Sequence, residues 1–323
     1  MNRIRNYTDA DKNAVFALWS RTAPRQGYAP RDRAALERLL FGNPYFSPEH
    51  AFVLEIGGTV RAFVCGCTGD DIPGGKERGF FTCLLADEAF DTEQTTADLL
   101  EELEDSFRAK GKKVSAATFF NPMRLPWVIP GTPGFEHNNM PGIGTHLPLH
   151  ARMLKNGYAE AARECAMYRS LSDFAVPKTI LERAERLAEQ GYTVGLYDAA
   201  RHTGLRRMLT ALENPEWIRL ITEAADKKMV LPVALAGDEV AGFAGPVYPE
   251  PTGRGYFAGI GIMPKYQHHG LGKLLFYRLC EAEKRAGANY MSLFTGEENP
   301  AGKIYEGAGF RSVRTFGVMT KQL

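Results

Sequence analysis

The hydrophobic and polar positions describe short strands and amphipathic helices, in an order that occurs twice. In the first half, Ile4-Arg5 followed by Thr8-Asp9-Ala10-Asp11 predicts a strand and a helix N-cap, and Val15, Phe16, Leu18 and Trp19 form that helix's apolar face. A second helix is predicted near 31–40, ending at Gly42-Asn43-Pro44. Two apolar runs, 52–56 and 60–67, flank Gly57-Gly58, the pattern of a hairpin. A strand at 80–86 leads to a helix at 97–110, with Leu99, Leu100, Leu103 and Phe107 inside and Gly111 as its stop; 114–120 is again strand-like. The second half runs strand 193–197, helices 200–212 and 215–225, and a hairpin 229–236/239–247 turning at Gly237-Asp238.

The two halves align without a gap from 79–119 to 255–295 at a constant offset of 176 positions. Gly79 meets Gly255, Phe81 meets Phe257, Leu99 meets Leu275, Leu103 meets Leu279 and Gly111 meets Gly287. This reads as a tandem repeat of one fold. The break at Asp173 and Pro177 divides the chain into domains 1–175 and 176–323, with a linker helix at 179–189. A proline- and glycine-rich segment, 121–148, carries Trp127, Val128, Ile129 and Phe135. That apolar content argues for a packed loop, or alternatively a wall of a substrate site, rather than disorder.

Tyr256-Phe-Ala-Gly-Ile-Gly-Ile-Met263 is an apolar strand pattern stopped by Pro264. Lys265 to Gly272 forms a turn, and Leu271, Leu274, Leu275 and Leu279 then mark one face of a helix that Gly287 ends. Gly270 and Gly272 permit close backbone approach, and the free N–H groups of a helix start suit an anion such as a diphosphate. The alternative is a strand–turn–helix whose glycines serve geometry alone. The spacing is neither G-x-G-x-x-G nor G-x-x-x-x-G-K-[ST], which argues against dinucleotide and NTP folds.

Gln267-His-His-Gly270-Leu-Gly272 resembles the Q/R-x-x-G-x-G/A motif of the GNAT superfamily of N-acyltransferases. Asn299-Pro-Ala-Gly-Lys-Ile-Tyr305-Glu-Gly-Ala-Gly309-Phe310 resembles the same family's N-x-x-A…Y-x-x-x-G-F segment. The resemblance implies an α/β (α+β) chain of two GNAT-like domains, each a mixed, mostly antiparallel twisted sheet flanked by helices. It also implies acetyl-CoA as acyl donor, direct N-acyl transfer in a ternary complex, and a primary amine on a small molecule or peptide as acceptor. Residue by residue, Ile260, Gly261 and Ile262 fall on the strand that faces pantetheine. Gln267, His268, His269, Gly270, Leu271, Gly272 and Lys273 fall on the diphosphate turn, and Tyr305 on the acid that protonates the thiolate. Asn299 is carried over as a pantetheine contact, although counting back from Gly309-Phe310 puts the family's Asn position on Glu298. His268 and His269 are read as backbone N–H donors rather than bases or metal ligands. No acidic residue lies on 256–263, so Glu297, Glu298 or a water chain is left as the base.

The first copy differs where that chemistry would sit. Asp91-Thr-Glu-Gln-Thr-Thr96 stands opposite 267–272, and Met153-Leu-Lys-Asn-Gly-Tyr158 opposite 305–310. It reads as a copy that has lost its cofactor.

Composition adds exclusions. Lys+Arg 39 against Asp+Glu 38 leaves a net charge of +1, without the electrostatic footprint of a nucleic-acid or membrane binder. No apolar run approaches the length of a membrane span, and no secretory leader pattern is present, so a cytoplasmic location is expected. The five cysteines are scattered; Cys65-Gly-Cys67 reads as buried hydrophobes of a reducing compartment, with no metal site. The oligomeric state is left open, a monomer being compatible with the pattern. Two other functions fit the fold: an aminoacyl-tRNA-dependent transferase, which the near-neutral charge disfavours, and a non-catalytic acyl-CoA sensor or scaffold, which the retained Tyr305 disfavours.

Overall fold

A computed structural model describes residues 2–323. The chain divides into two compact units: the residues up to Cys165 together with Arg314–Leu323, and Ala166–Val313. A linear division at 175/176 would keep the last strand in the second half, whereas contacts group it with the first unit. Both units mix helices with mostly antiparallel strands, as expected.

In the first unit, Asn2–Asn6, Ala51–Ile56, Thr59–Cys67 and Arg78–Ala86 pair antiparallel in that order. Arg78–Phe80 then pairs parallel with Val114–Ala116. Met319–Gln322 closes the far side of that strand. The hairpin turns at Gly57-Gly58, both with positive φ. One face of the sheet packs Val15, Leu18 and Trp19 of the helix Lys12–Thr22 against Phe63, Cys65, Cys67 and Phe80. The other packs Leu99, Leu100, Leu103 and Phe107 of Glu93–Ala109 against Val64, Phe81 and Leu84. The helix expected at 31–40 is a short α-turn, Arg33–Leu36, running into a wider π-turn, Glu37–Phe41.

The 121–148 segment packs inside the first unit. Trp127–Val128 pairs with Glu136–His137, and Ile143–Gly144 pairs with Phe316–Gly317. Trp127 is fully buried, its indole N–H donating to the Asn139 carbonyl at 2.9 Å.

In the second unit, Tyr192–Leu196, Pro232–Ala236, Glu239–Ala244 and Ile260–Ile262 form an antiparallel sheet. Helix Pro215–Asp226 starts where it does because the Asn214 side chain accepts from the Glu216 and Trp217 N–H groups and Pro215 suits the first turn. Its Ile221 joins Met208, Leu209, Val233, Val240 and Phe243 in one core. Helix Leu271–Arg285 packs on the sheet through Leu275 and Leu279, the counterparts of Leu99 and Leu103; all four are fully buried. Gly111 and Gly287 both end their helices at positive φ.

The repeat extends beyond the aligned segment. After the left-handed glycines Gly157 and Gly309, each copy ends in a twelve-residue strand, Ala159–Ser170 and Arg311–Gln322.

Candidate functional site

The candidate site is built on a strand that does not run straight. The pattern at 256–263 predicts one continuous strand; two short pieces are observed. Arg254–Gly255 pairs parallel with Tyr290–Met291, and Ile260–Ile262 pairs antiparallel with 242–244. Residues 256–259 bulge between them. The parallel pairing with Tyr290–Met291 therefore ends at Gly255. Within the bulge the Gly259 carbonyl accepts from the Gly245 N–H at 3.3 Å, and the Trp217 indole N–H donates to the Ala258 carbonyl at 3.0 Å. Among the described residues the N–H groups of Phe257, Ala258 and Gly259 and the Phe257 carbonyl have no protein partner. Unpaired backbone groups of this kind are what an amide-bearing ligand can satisfy.

The glycines explain why the bulge holds. Gly259 sits at φ +149°, and a Cβ there would lie 2.7 Å from the Trp217 indole; a Cβ on Gly261 would lie 2.5 Å from Leu212 Cδ1. The close approach that these two glycines permit is thus made by the helical side chains of Leu212 and Trp217. Ile260 and Ile262 are half-buried beside them.

The strand ends in a single 3-10 turn, Pro264–Tyr266. The Gln267 carboxamide donates back to the Ile262 carbonyl at 3.0 Å and so ties the turn to the strand. His268 takes a positive φ of 66°, and the His269 ring nitrogen Nδ1 lies 2.8 Å from the Gln267 carbonyl. That ring also packs on Tyr192 with centroids 4.9 Å apart. Gly270 occupies the N-cap of Leu271–Arg285 at φ +87°, so no side chain caps the helix. The N–H groups of Leu271, Gly272 and Lys273 have no partner among the described residues, and they carry the positive end of a four-turn helix. Leu271 itself is buried in the core. A Cβ on Gly272 would meet Ile304 at 3.5 Å and Ile262 at 3.8 Å, ordinary contacts, so the position has room for a methyl group.

Tyr305 lies on the short helix Gly302–Gly307 and is 4% exposed. Its ring packs on Phe276 at 4.7 Å and edge-on to Phe257 of the bulge at 6.1 Å. Burial pushes its phenol up to about 12, so it holds its proton throughout the neutral range. No group among the described residues bonds its hydroxyl. Asn299 is exposed, and its side-chain oxygen caps its own turn by accepting from the Ala301 N–H at 3.0 Å. Lys273 is half-buried, its ammonium near Gly307. Glu297 and Glu298 are exposed.

Three residues escaped the sequence reading. Trp217 sits in Pro215–Asp226, which the sequence marked only as a helix. Arg183, on Lys178–Glu189, places its guanidinium against Gly270 and donates to the His269 carbonyl at 3.2 Å. Glu283 is fully buried at the far end of the Leu271 helix, where its carboxylate accepts from the Tyr248 N–H at 3.2 Å. Burial raises its carboxyl from the ordinary 4.5 to about 8. An acidic residue at that helical position could have been noticed from the offset alignment, because the first copy has Phe107 there.

Comparison with known proteins agrees with this architecture. Residues 200–310 match the profile of the acetyltransferase (GNAT) family, and that segment is a GNAT domain. No curated protein sequence matches the chain. Among solved structures, the chain superposes on a GCN5-related N-acetyltransferase from Sphaerobacter thermophilus with a TM-score of 0.65 at 12% identity, covering 99% of this chain and 95% of that one. A tandem GNAT protein from the clavulanic acid biosynthesis pathway, solved without AcCoA, gives 0.57 at 14% identity, with 100% and 98% covered. A glucosamine N-acetyltransferase region of a fungal multi-domain β-N-acetylglucosaminidase gives 0.69 at 15% identity; 99% of this chain covers only 38% of that protein. At these identities the likeness is one of fold. The chain thus has the fold of tandem GNAT-like proteins, and its residues 200–310 carry the profile of the acetyltransferase (GNAT) family.

Proposed function

We propose that the second unit transfers an acyl group, acetyl in the first instance, from acyl-CoA to a primary amine held in the same complex. The observation that carries this reading is the uncapped N-terminus of Leu271–Arg285, continuous in sequence with the unpaired bulge at 256–259. The diphosphate takes the free N–H groups of 271–273 on the turn Gln267–Gly270, and the pantetheine amides take the open backbone near Ile260–Ile262, with Asn299 at the rim. In a trans peptide the C=O and N–H point in opposite directions. Trp217 holds the Ala258 carbonyl on its own side, so the Gly259 N–H faces away from Trp217, where it can support the oxyanion as the amine attacks the thioester carbonyl. The tetrahedral intermediate collapses, the C–S bond breaks, and Tyr305, kept protonated by burial, gives its proton to the departing thiolate, while the amine nitrogen loses its surplus proton to solvent water or to Glu297 or Glu298 and Tyr305 is reprotonated from water. The acceptor is a small molecule or peptide.

Its cysteines are unpaired, Cys65 and Cys83 facing each other at 3.5 Å without a disulfide, which suits a reducing cytoplasm. The test is calorimetric titration with CoA and acetyl-CoA, followed by an amine panel read out as thiol release. Binding with amine-dependent release supports the reading; a folded protein that binds neither thiol ester nor CoA overturns it. Retention of tRNA in place of CoA would favour the aminoacyl-tRNA donor instead.

A further inference from the structure

We propose that Arg183, on the helix that precedes the family-profile segment, is a binding residue for the donor's diphosphate and selects diphosphate-bearing donors over shorter ones. This rests on the acyl-CoA reading above. The guanidinium lies flat against the turn: a Cβ built on Gly270 would stand 2.0 Å from its Nη2 and 2.6 Å from its Nε and Cζ. Glycine at 270 thus leaves the space that Arg183 fills. One of its five N–H donors reaches the His269 carbonyl at 3.2 Å, and no carboxylate pairs with it among the described residues. It is an exposed cation set beside three unpaired N–H groups at a helix start.

The corresponding turn of the first unit also carries an arginine, from a different element and with its anion supplied internally: Arg152 lies on Pro148–Lys155, the counterpart of Gly302–Gly307 and not of the helix that bears Arg183. There Arg152 donates through Nη2 to the Asp91 backbone carbonyl at 2.6 Å, while Arg183 donates to the carbonyl of His269, two positions further along the aligned turn. The other arm of Arg152 pairs with the Asp91 carboxylate, immediately before the helix Glu93–Ala109. In the second unit Gln267 stands at the position of Asp91, so the turn beside Arg183 offers it no anion. A diphosphate supplies one. Arginine's planar fork suits phosphate oxygens in a way that lysine's point charge does not.

The experiment titrates the full chain, as wild type, Arg183→Ala and Arg183→Lys, with CoA, 4′-phosphopantetheine and pantetheine, with circular dichroism as the check on folding. Arg183→Ala should bind CoA roughly 10–100-fold more weakly, as loss of a charge-assisted contact does. Pantetheine affinity should stay unchanged, the monophosphate should fall between, and Arg183→Lys should recover part of the loss. The inference is overturned if Arg183→Ala binds CoA within twofold of wild type, or if CoA and pantetheine weaken equally. If wild type binds no CoA, the acyl-CoA reading falls and takes this inference with it.

Discussion

The two units use one strand–helix–strand frame and close it in opposite ways. In the first, Thr92 caps Glu93–Ala109 by accepting from the Thr95 N–H at 3.1 Å; in the second, Gly270 leaves the same end bare. In the first, Arg78–Ala86 is a continuous strand; in the second, its counterpart is broken at 256–259. In the first, parallel pairing ends at Phe80/Ala116, and Asn121 then spans the gap by donating to the Phe81 carbonyl at 2.9 Å and the Thr82 hydroxyl at 3.0 Å. The counterpart of Phe81 is Phe257, whose carbonyl is open. Met153, fully buried, stands where Tyr305 presents a hydroxyl. In the first unit side chains meet the Thr95 N–H and the Phe81 carbonyl, the Thr96 N–H donates to the Thr92 carbonyl, and strand pairing continues across residues 81–83. A frame of this kind loses its ligand through self-satisfaction of its polar groups, with the fold intact.

Each change that makes one unit resemble the other should move a measurable quantity. The largest effect is expected from Tyr305→Phe, which removes the hydroxyl that Met153 also lacks. Turnover should fall roughly 10²–10⁴-fold with CoA affinity nearly unchanged, because the proton is needed only as the thiolate leaves. Wild-type turnover, with thiol release shown to be rate-limiting, would remove Tyr305 from the chemistry.

The next largest concerns stability. Glu283 replaces Phe107 of the first copy in the same contact, its carboxyl 2.9 Å from a Cβ built on Gly255 as Phe107 crowds Gly79. Its folded pKa is raised above the unfolded one, so the folded state binds the extra proton between about 4.5 and 8. Stability therefore falls as pH rises through that window, by at most about 4–5 kcal/mol at 1.36 kcal/mol per pH unit. Glu283→Gln should flatten the slope in chemical-denaturation curves; an unaltered slope would place the titration elsewhere.

Gly270→Glu would give the second unit the carboxylate that Asp91 provides in the first, poised to pair with Arg183. A loss in CoA affinity of roughly tenfold or more is expected from the added charge at a helix start and the strain of a side chain at φ +87°. Undiminished affinity in the folded variant would put the diphosphate elsewhere. Smallest for donor binding is Asn121→Ala. It should destabilise the first unit by about 1–3 kcal/mol, through the orphaned Phe81 carbonyl, without opening a CoA site there.

Periodicity was sufficient for the two equivalent helices Glu93–Ala109 and Leu271–Arg285 and for their glycine stops, because a buried leucine stripe has only one periodic meaning; the helix expected at 200–212 shrinks to Leu205–Ala211. The motif Gln267–Gly272 likewise located the uncapped turn. The bulge at 256–259 was illegible: Gly259 and Gly261 announce a close approach, and nothing local says that Trp217 and Leu212 make it. Arg183 was hidden for a related reason, since it reaches His269 across 86 positions of sequence and its own helix reads as a polar linker. The 121–148 segment could be read as packed from its aromatics, but Asn121's grip on Phe81 depends on strand divergence that no pattern encodes.

The central claim is that one frame is open to the donor and the other is closed by its own side chains. Calorimetric titration of the intact chain with CoA tests it most directly. The account predicts a single site per chain, abolished or strongly weakened by Gly270→Glu and unaffected by Asn121→Ala. A stoichiometry of two, or a single site that survives in Gly270→Glu, would contradict it.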